Sequence, residues 1–508
     1  MNRFSRRSFV LGGLGAAGTV LVSPGGARAA PAYPFQLGVA SGEPAPDSVV
    51  LWTRLAPSPL DEDGHGGMPS AGVPVDWQVS RTSSFARLVV SGTVTARHAD
   101  AHAVHVVAGG LDPDADYYYR FRAQGHLSPV GRTRTAPPTS AAGGALTMLF
   151  ASCSNFESGY FTAYRRMAEE APDLILHLGD YIYEGATKPG NVREHVGPEI
   201  LTLADYRRRY GQYKSDPDLQ SAHACAPWLA VPDDHDVEDD YAGMNRFDDI
   251  PALTPAQWAT RRTAAYRAYY EHLPLRPSAA PVGNRMSLYR RVRWGRLATF
   301  HMLDTRQFRD AEACGGAWTA CPDADRPGRS MTGGAQEAWL LDGLAQHQGT
   351  WDLIGQTVFF AGRLDATGAG NMDSWDGYRA SRRRIQQGWL DRRVRNPVVL
   401  SGDIHTAWAN DLKTDYAADR GPTIGTELIC TSITSRGDGT PTTVIPGADV
   451  NPHLKFYSDR RGYVRTRITP AQLTADFRGL DAVKRPGAAI RTLKSFAILD
   501  RRPGVQSL

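Results

Sequence analysis

Leu174-Ile175-Leu176-His177-Leu178-Gly179-Asp180-Tyr181-Ile182-Tyr183 is an apolar run that stops at Gly-Asp. A short apolar run closed by glycine reads as a buried strand. Its end sets Asp180 at the carboxyl edge of a sheet, where open α/β folds collect their ligands, and from there the carboxylate could bridge two metal ions. Tyr183, a little further on, is within reach of the same ion. A phenolate is a hard anionic ligand, suited to Fe(III) more than to a soft metal. On these residues alone a strand-end capping aspartate followed by a core tyrosine reads equally well, so the rest of the chain has to decide.

The same arrangement recurs downstream. Leu146 to Ala151 is a second apolar run, and a helix-like stretch from Tyr160 to Glu170 joins it to the first, as in the start of a βαβ unit. Trp228 to Val231 precedes Pro232-Asp233-Asp234-His235-Asp236, Ala298 to Leu303 precedes Asp304, and Pro397 to Leu400 precedes Ser401-Gly402-Asp403-Ile404-His405. The packed carboxylates of the 233–236 cluster repel one another unless cations sit among them, the alternative being a solvated acidic loop. Asp403 and His405, two apart at a strand end, point the same way across the pleat. Cys153 ends the 146–151 run. Most unpaired cysteines are small core hydrophobes, but Ser152, Ser154 and Asn155 give this one a polar setting, in which a thiolate beside a metal acts as a ligand. Packing alone is a poor explanation for polar clusters that repeatedly follow strands.

At 508 residues the chain exceeds what one core usually serves, so two domains are expected. Its 42% hydrophobic and 22% charged residues are ordinary for a globular protein, and a net charge of +4 without a basic block gives no nucleic-acid footprint. Residues 1–29 read as a targeting segment. Ser5-Arg6-Arg7-Ser8-Phe9-Val10 precedes a weakly hydrophobic stretch from Leu11 to Val22, and Ala27-Arg28-Ala29 gives a small-x-small cleavage site. Paired arginines before a glycine-rich core indicate twin-arginine export, with a general secretory signal or an uncut anchor as alternatives. The apolar stretch is too short for a comfortable membrane span. Cys314 and Cys321, close together in an exported chain, predict a local disulfide, while Cys225 and Cys430 read as buried thiols or a second bridge.

Between residues 30 and 138, short strands at 48–54, 75–79, 89–94, 104–107 and 117–122 alternate with Gly, Pro and Asp, which predicts a fibronectin type III or immunoglobulin-like β-sandwich. Ala136 to Gly144 reads as a linker, and an α/β domain is expected over 145–490.

The ordered set of motifs resembles the PhoD-like alkaline phosphatases, within the calcineurin-like metallophosphoesterases. It includes Phe35 to Pro44, Val50 to Arg54, the Cys153, Asp180/Tyr183, Asp234/His235 and Asp403/His405 blocks, Asp373 to Tyr378, Thr431 to Ser435, Asn451-Pro452-His453 and Arg461 to Val464. The resemblance implies a two-domain protein whose second domain is an αββα sandwich, with one Fe(III) and two Ca(II). Cys153 and Tyr183 would bind iron and Asp180 would bridge, with Asp234, Asp403 and His405 completing the cage. His235 would face the phosphoryl group and Arg276 would clamp phosphate. The implied chemistry is hydrolysis of small phosphate esters by a hydroxide bridging the metals. Two departures, Glu43 where the family commonly has Asp and Asp236 where it commonly has Glu, touch no assigned ligand. Whether Asp233, Asn371 or Asp376 binds metal stays open. The alternatives are a phosphodiesterase or phospholipase D-like enzyme on the same metals and, from another class, a non-catalytic phosphate- or glycan-binding surface protein. Secretion, or a periplasmic or wall-associated location, is expected, with the twin-arginine machinery as the one protein partner.

Replacing Arg6 and Arg7 together with lysine should trap the precursor in the cytoplasm, as read by fractionation and immunoblotting. Normal secretion of the double variant would indicate the general secretory route.

Overall fold

Leu174–Leu178 is a strand buried along its whole length. It pairs in parallel with Leu146–Ala151 on one side and Pro227–Val231 on the other. The computed structural model describes residues 32–246, 252–416 and 421–508, so the export segment expected over 1–29 lies outside the described residues. Alternate side chains of these strands enter different cores. Leu149, Ile175, Trp228 and Ala230 face a helical layer, whereas Phe150, Leu176, Leu178 and Val231 face a second sheet. With both faces covered, the strands are continuously apolar instead of alternating.

The first sheet is mixed and ten-stranded. The Thr162–Glu169, Leu203–Lys214, Pro217–Cys225 and Pro255–His272 helices pack on its outer face. Sequence sets two of these helix starts. Thr202 forms a capping box with Asp205, and Thr254 forms one with Gln257 ahead of Pro255. The second sheet has seven strands, with Ala298–Met302, Trp351–Gly355 and Pro397–Ser401 parallel at its centre. Helices Gly334–Leu344 and Arg379–Asp391 cover its far side.

The strands expected in the first 138 residues form as Ser48–Arg54, Val73–Ser80, Leu88–Ala96, Ala103–Gly109 and Asp116–Ala123. They enclose a core that includes Val49, Leu51, Val75, Tyr117 and Phe121. The module is not free-standing. Val39–Gly42 pairs in parallel with Pro227 and Trp228 and antiparallel with Ser48–Arg54, so three N-terminal strands extend the first sheet. An otherwise open edge of Pro227–Val231 is thereby paired, and residues 33–508 form one compact unit.

Cys314 and Cys321 are bonded, as their spacing predicts, and Cys153, Cys225 and Cys430 are free thiols, so no second bridge forms among the described residues. Among those residues no helix is long and apolar enough to cross a membrane.

The strand's one polar residue, His177, is 1% exposed. Tyr164 pairs its hydroxyl with His177 Nε2 at 2.8 Å, and the His177 ring stacks on Trp228. Burial pushes its pKa down to about 3, against about 6.5 in an unfolded chain. Between those values the unfolded chain binds a proton that the folded chain refuses. The contribution of His177 to stability is therefore complete above about pH 6.5 and falls by about 1.4 kcal/mol per pH unit below it, down to the folded value. His177→Gln should flatten the acid limb of an equilibrium-denaturation series between pH 7 and pH 5. An unchanged slope would mean that His177 does not carry this term.

Candidate metal centre

The parallel strands of both sheets end at one edge, and their exits form the site. Cys153 follows Leu146–Ala151, Asp180 follows Leu174–Leu178, Asp233 and Asp234 follow Pro227–Val231, and Asp403 and His405 follow Pro397–Ser401. Glycine allows the exits to converge. A Cβ on Gly179, at φ 93°, would lie 2.4 Å from the Asp233 Cβ, and one on Gly402 would lie 2.5 Å from Ser152 Oγ. Cys153, Asp180, Asp403 and His405 all take left-handed backbone, with φ between 55° and 64°. Each costs of order 1 kcal/mol. Non-glycine residues in this region concentrate at functional sites, where the surrounding structure enforces the turn.

At one pole the ligand atoms of Cys153, Asp180 and His405 lie within 4.8 Å of one another. The Tyr183 hydroxyl sits among them, donating to Asp180 Oδ2 at 2.9 Å, 3.0 Å from His405 Nε2, and accepting from Ser435 Oγ at 2.7 Å. A second group, Asp180, Asp233 and Asp234, shares Asp180 with the first, and a third joins Asp234, His235 and Asp239. Asp240, Glu312 and Asp373 form a fourth. Asp180, Asp234, His235, Asp403, His405 and Asn371 line one cleft of about 480 Å³.

One cation is built in. Arg306, fully buried, donates to Asp233 Oδ1 and to Asp373 Oδ1 (2.7 Å), and its Nη2 is 3.3 Å from Asp234 Oδ1. This does not neutralise the cluster. Burial and then the Asp234 carboxylate push Asp180 well above the ordinary carboxyl range, and burial and then Asp233 do the same to Asp403. Burial lifts Asp233 to about 6 despite Arg306. Asp234 differs. Burial would raise it, but Arg306 and His235 together hold it below the ordinary value. Burial and then Asp180 push both the Cys153 thiol and the Tyr183 phenol well up.

Asp180 Oδ1, Asp233 Oδ2 and His405 Nδ1 are buried without a hydrogen-bond partner. Buried acceptors in that state are costly, and added cations relieve both the missing partners and the mutual repulsion. The donor set is hard oxygen with one thiolate and one imidazole, so the residues fit metal ions.

His235 rests on the Tyr183 ring, with centroids 4.1 Å apart, and its Nδ1 is 2.8 Å from Glu184 Oε2. Burial opposes its charge, but Glu184, Asp234 and Asp180 outweigh burial and hold it protonated well above the ordinary imidazole range.

The sequence expectations meet the structure unevenly. Cys153, Asp180, Tyr183, Asp234, His235, Asp403 and His405 come together at this edge. Asp233 faces the group but is also tied to Arg306 and to the Thr357 hydroxyl at 2.8 Å. Asn371 lines the cleft, whereas Asp376 is buried against Arg382 at 2.9 Å. Asp236 braces the loops by accepting from the Tyr181, Ile182 and Asp233 amides.

The expectation for Arg276 is corrected. It donates to the Glu43 carbonyl at 2.7 Å and to Ser48 Oγ at 3.3 Å. It lines a separate groove with Tyr289 and Arg290. The chain leaving Pro255–His272 runs against the N-terminal strands, with Pro274 packed on Gly42, and Arg276 is not among the residues that line the cleft. Sequence reasoning missed Arg306, Asp240 and Glu312. The one available signal for Arg306 was its position two residues past the strand-end Asp304.

The profile of the PhoD-like phosphatase family matches residues 148–477, and that of the PhoD-like phosphatase N-terminal domain matches residues 21–137. Alkaline phosphatase D of Bacillus subtilis (strain 168) is 45% identical over 528 aligned positions, covering 100% of this chain and 90% of that protein. The solved structure of PhoD superposes with a TM-score of 0.90 at 44% identity, covering 94% of this chain and 92% of that one. Through both of its parts the chain therefore belongs to the PhoD-like phosphatase family, and with it to the phosphoric ester hydrolases.

Proposed function

We propose that the protein is an exported, iron- and calcium-dependent phosphatase that hydrolyses small phosphate mono- or diesters in the cleft lined by Asp180, Asp234, Asp403 and His405. Cys153, Tyr183, Asp180 and His405 would hold iron. Asp180, Asp234 and Asp403, with Asp240, Asn371 and Asp373 nearby, would hold calcium, an ion that prefers oxygen donors. The observation that carries the reading is the Tyr183 hydroxyl 2.9 Å from Asp180 Oδ2, beside an Asp180 Oδ1 that is buried with no donor. The assignment to the calcineurin-like metallophosphoesterases and their αββα sandwich belongs to the same reading, supported by two facing sheets with helices outside each.

When bound, such ions supply Lewis-acid polarisation of the phosphoryl group and activation of water for attack. The chain's own residues do the rest. Glu184 fixes the His235 ring through Nδ1, which leaves Nε2 on the cleft side, 3.4 Å from Asp239 Oδ1. With its ring fixed in this way, His235 can deliver an Nε2 proton to the departing oxygen. Arg306 offsets part of the charge on Asp233 and Asp373 and holds both in place without entering the cleft. Removing metals by chelation should abolish hydrolysis of a chromogenic phosphate ester, and iron plus calcium should restore it. Activity that survives complete metal removal would refute the reading, and comparing monoester with diester ranks the substrates.

A phenolate bound to ferric iron gives a visible charge-transfer band. Tyr183→Phe should abolish the colour while leaving calcium bound, whereas Asp180→Asn removes the shared carboxylate and should lose iron and calcium together. Full colour in Tyr183→Phe, measured alongside metal content by mass spectrometry, would take Tyr183 off the iron.

A further inference from the structure

With Arg276 elsewhere and Arg306 saturated by carboxylates, the cleft still needs a group for phosphate oxygens. Two guanidiniums line it, Arg363 and Arg436. Arg436 is exposed at the rim. Arg363 is half-buried in an aromatic cage, its guanidinium carbon 5.0 Å from the centroids of Trp318 and Phe359 and 5.5 Å from that of Trp408. Among the described residues no carboxylate pairs with it, although Asp403 and His405 line the same cleft.

The backbone around Arg363 is clamped on every side. Phe360 and Ala361 donate their amides to the buried Glu427 at 2.7 and 3.0 Å. His453 Nε2 donates to the Gly362 carbonyl at 2.6 Å, and the Arg363 amide donates to Asp376 Oδ2 at 2.8 Å. Asn451 Nδ2 donates to the Leu364 carbonyl at 2.7 Å. The Asn451-Pro452-His453 motif and Asp376 thus acquire a shared task. Trp318, 47% exposed, is held by the Cys314–Cys321 disulfide that brackets it, by pairing with Asn371, and by its indole N–H to Asp365 Oδ2 at 3.1 Å.

We infer that Arg363 binds the non-bridging oxygens of the phosphate ester, and that Trp318 on its disulfide-closed loop is the positioning residue that aims it. A guanidinium stacked on aromatic faces keeps its N–H edge free for a planar, two-point grip on phosphate. The cage also keeps it from collapsing onto the site's carboxylates. A guanidinium that lines this cleft without an ion-pair partner leaves room for an anion between itself and the metal site, which is where a phosphate ester would lie. This inference rests on the phosphatase reading above.

The test uses the metal-loaded, full-length protein with inorganic phosphate as the probe, read by calorimetry and as an inhibition constant. Arg363→Ala should keep iron and calcium at wild-type content and weaken phosphate binding by about 30-fold or more, and Arg363→Lys should recover part of the loss. Trp318→Ala should raise KM and the phosphate inhibition constant several-fold with a smaller change in kcat. Trp318→Phe should restore both, and Cys314→Ser with Cys321→Ser should resemble Trp318→Ala. Wild-type phosphate affinity in Arg363→Ala, loss of its metals, or transfer of the whole effect to Arg436→Ala would overturn the inference. A wild-type protein that neither binds phosphate nor hydrolyses esters would overturn the phosphatase reading itself.

Discussion

The mutual repulsion of buried carboxylates at the converging strand ends is the constraint around which the molecule is built. Asp180, Asp233, Asp234 and Asp373 are all buried, and Arg306 is the guanidinium placed among the last three. Arg306, even with the His235 imidazolium beside Asp234, cannot offset that many negative charges in a region where desolvation already disfavours ionisation. Metal ions complete the balance, and until they bind, protons must. The elevated positions of Asp180 and Asp403 express that competition. Metal loading should therefore be coupled to proton release, as it is wherever a ligand must lose a proton to bind.

The arrangement divides into two chemical poles that share Asp180. Around Tyr183 the donors include a buried thiol, a buried phenol and a half-buried imidazole, with the phenol hydrogen-bonded to Asp180 and to the imidazole. Toward Asp234, Asp240 and Asp373 the donors are carboxylates with access to the cleft. The two sets differ in donor chemistry, one mixing sulfur, nitrogen and oxygen and the other oxygen alone, so they present different ligand fields to any ions they hold. His235 stands at the junction, packed on Tyr183 and tethered to Glu184. Its charge follows from the same carboxylates that hold the ions, so any metal that neutralises them lowers its affinity for the proton it would deliver.

Much of this was legible in the sequence, for a physical reason. A strand buried on both faces must be continuously apolar, so the polar residues at its exit stand out, and Cys153, Asp180, Asp234, Asp403 and His405 are all exit residues. Tyr183 was readable because it lies one short turn from Asp180. Roles that depend on distant segments were not readable. Arg306 bonds to residues 73 and 67 positions away, and its place just past the strand-end Asp304 is too weak a local signal to separate it from a solvated arginine. The role of Arg276 came from the family resemblance and from nothing local, and its partners are Glu43 and Ser48, over 220 residues earlier. The five N-terminal strands were found from turn spacing and alternation. Their sharing of a sheet with the second domain was hidden, because pairing partners across a sheet edge leave no local pattern.

That shared sheet ties the N-terminal strands to the chemistry. Pro227–Val231 carries Asp233 and Asp234 at its end, and its outer edge is sealed by Val39–Gly42. The seal continues past the paired residues. The Glu43 amide donates to the Trp228 carbonyl at 3.1 Å, the Glu43 carboxylate binds Arg290, and Arg290 Nη2 donates to the Ala230 carbonyl at 2.8 Å. Both edges of the strand are therefore fixed nearly to the point where the acidic cluster begins. A slip of one residue in a strand exchanges its two faces, which here would turn Leu229 and Val231 out of the inter-sheet core and carry Asp233 away from Arg306. By pinning the register, the N-terminal strands hold the carboxylates where the opposing sheet can meet them. A module that reads as a separate sandwich in the sequence is thus a structural wall of the site, and Arg276, Glu43 and Arg290 belong to that wall and not to the phosphate pocket.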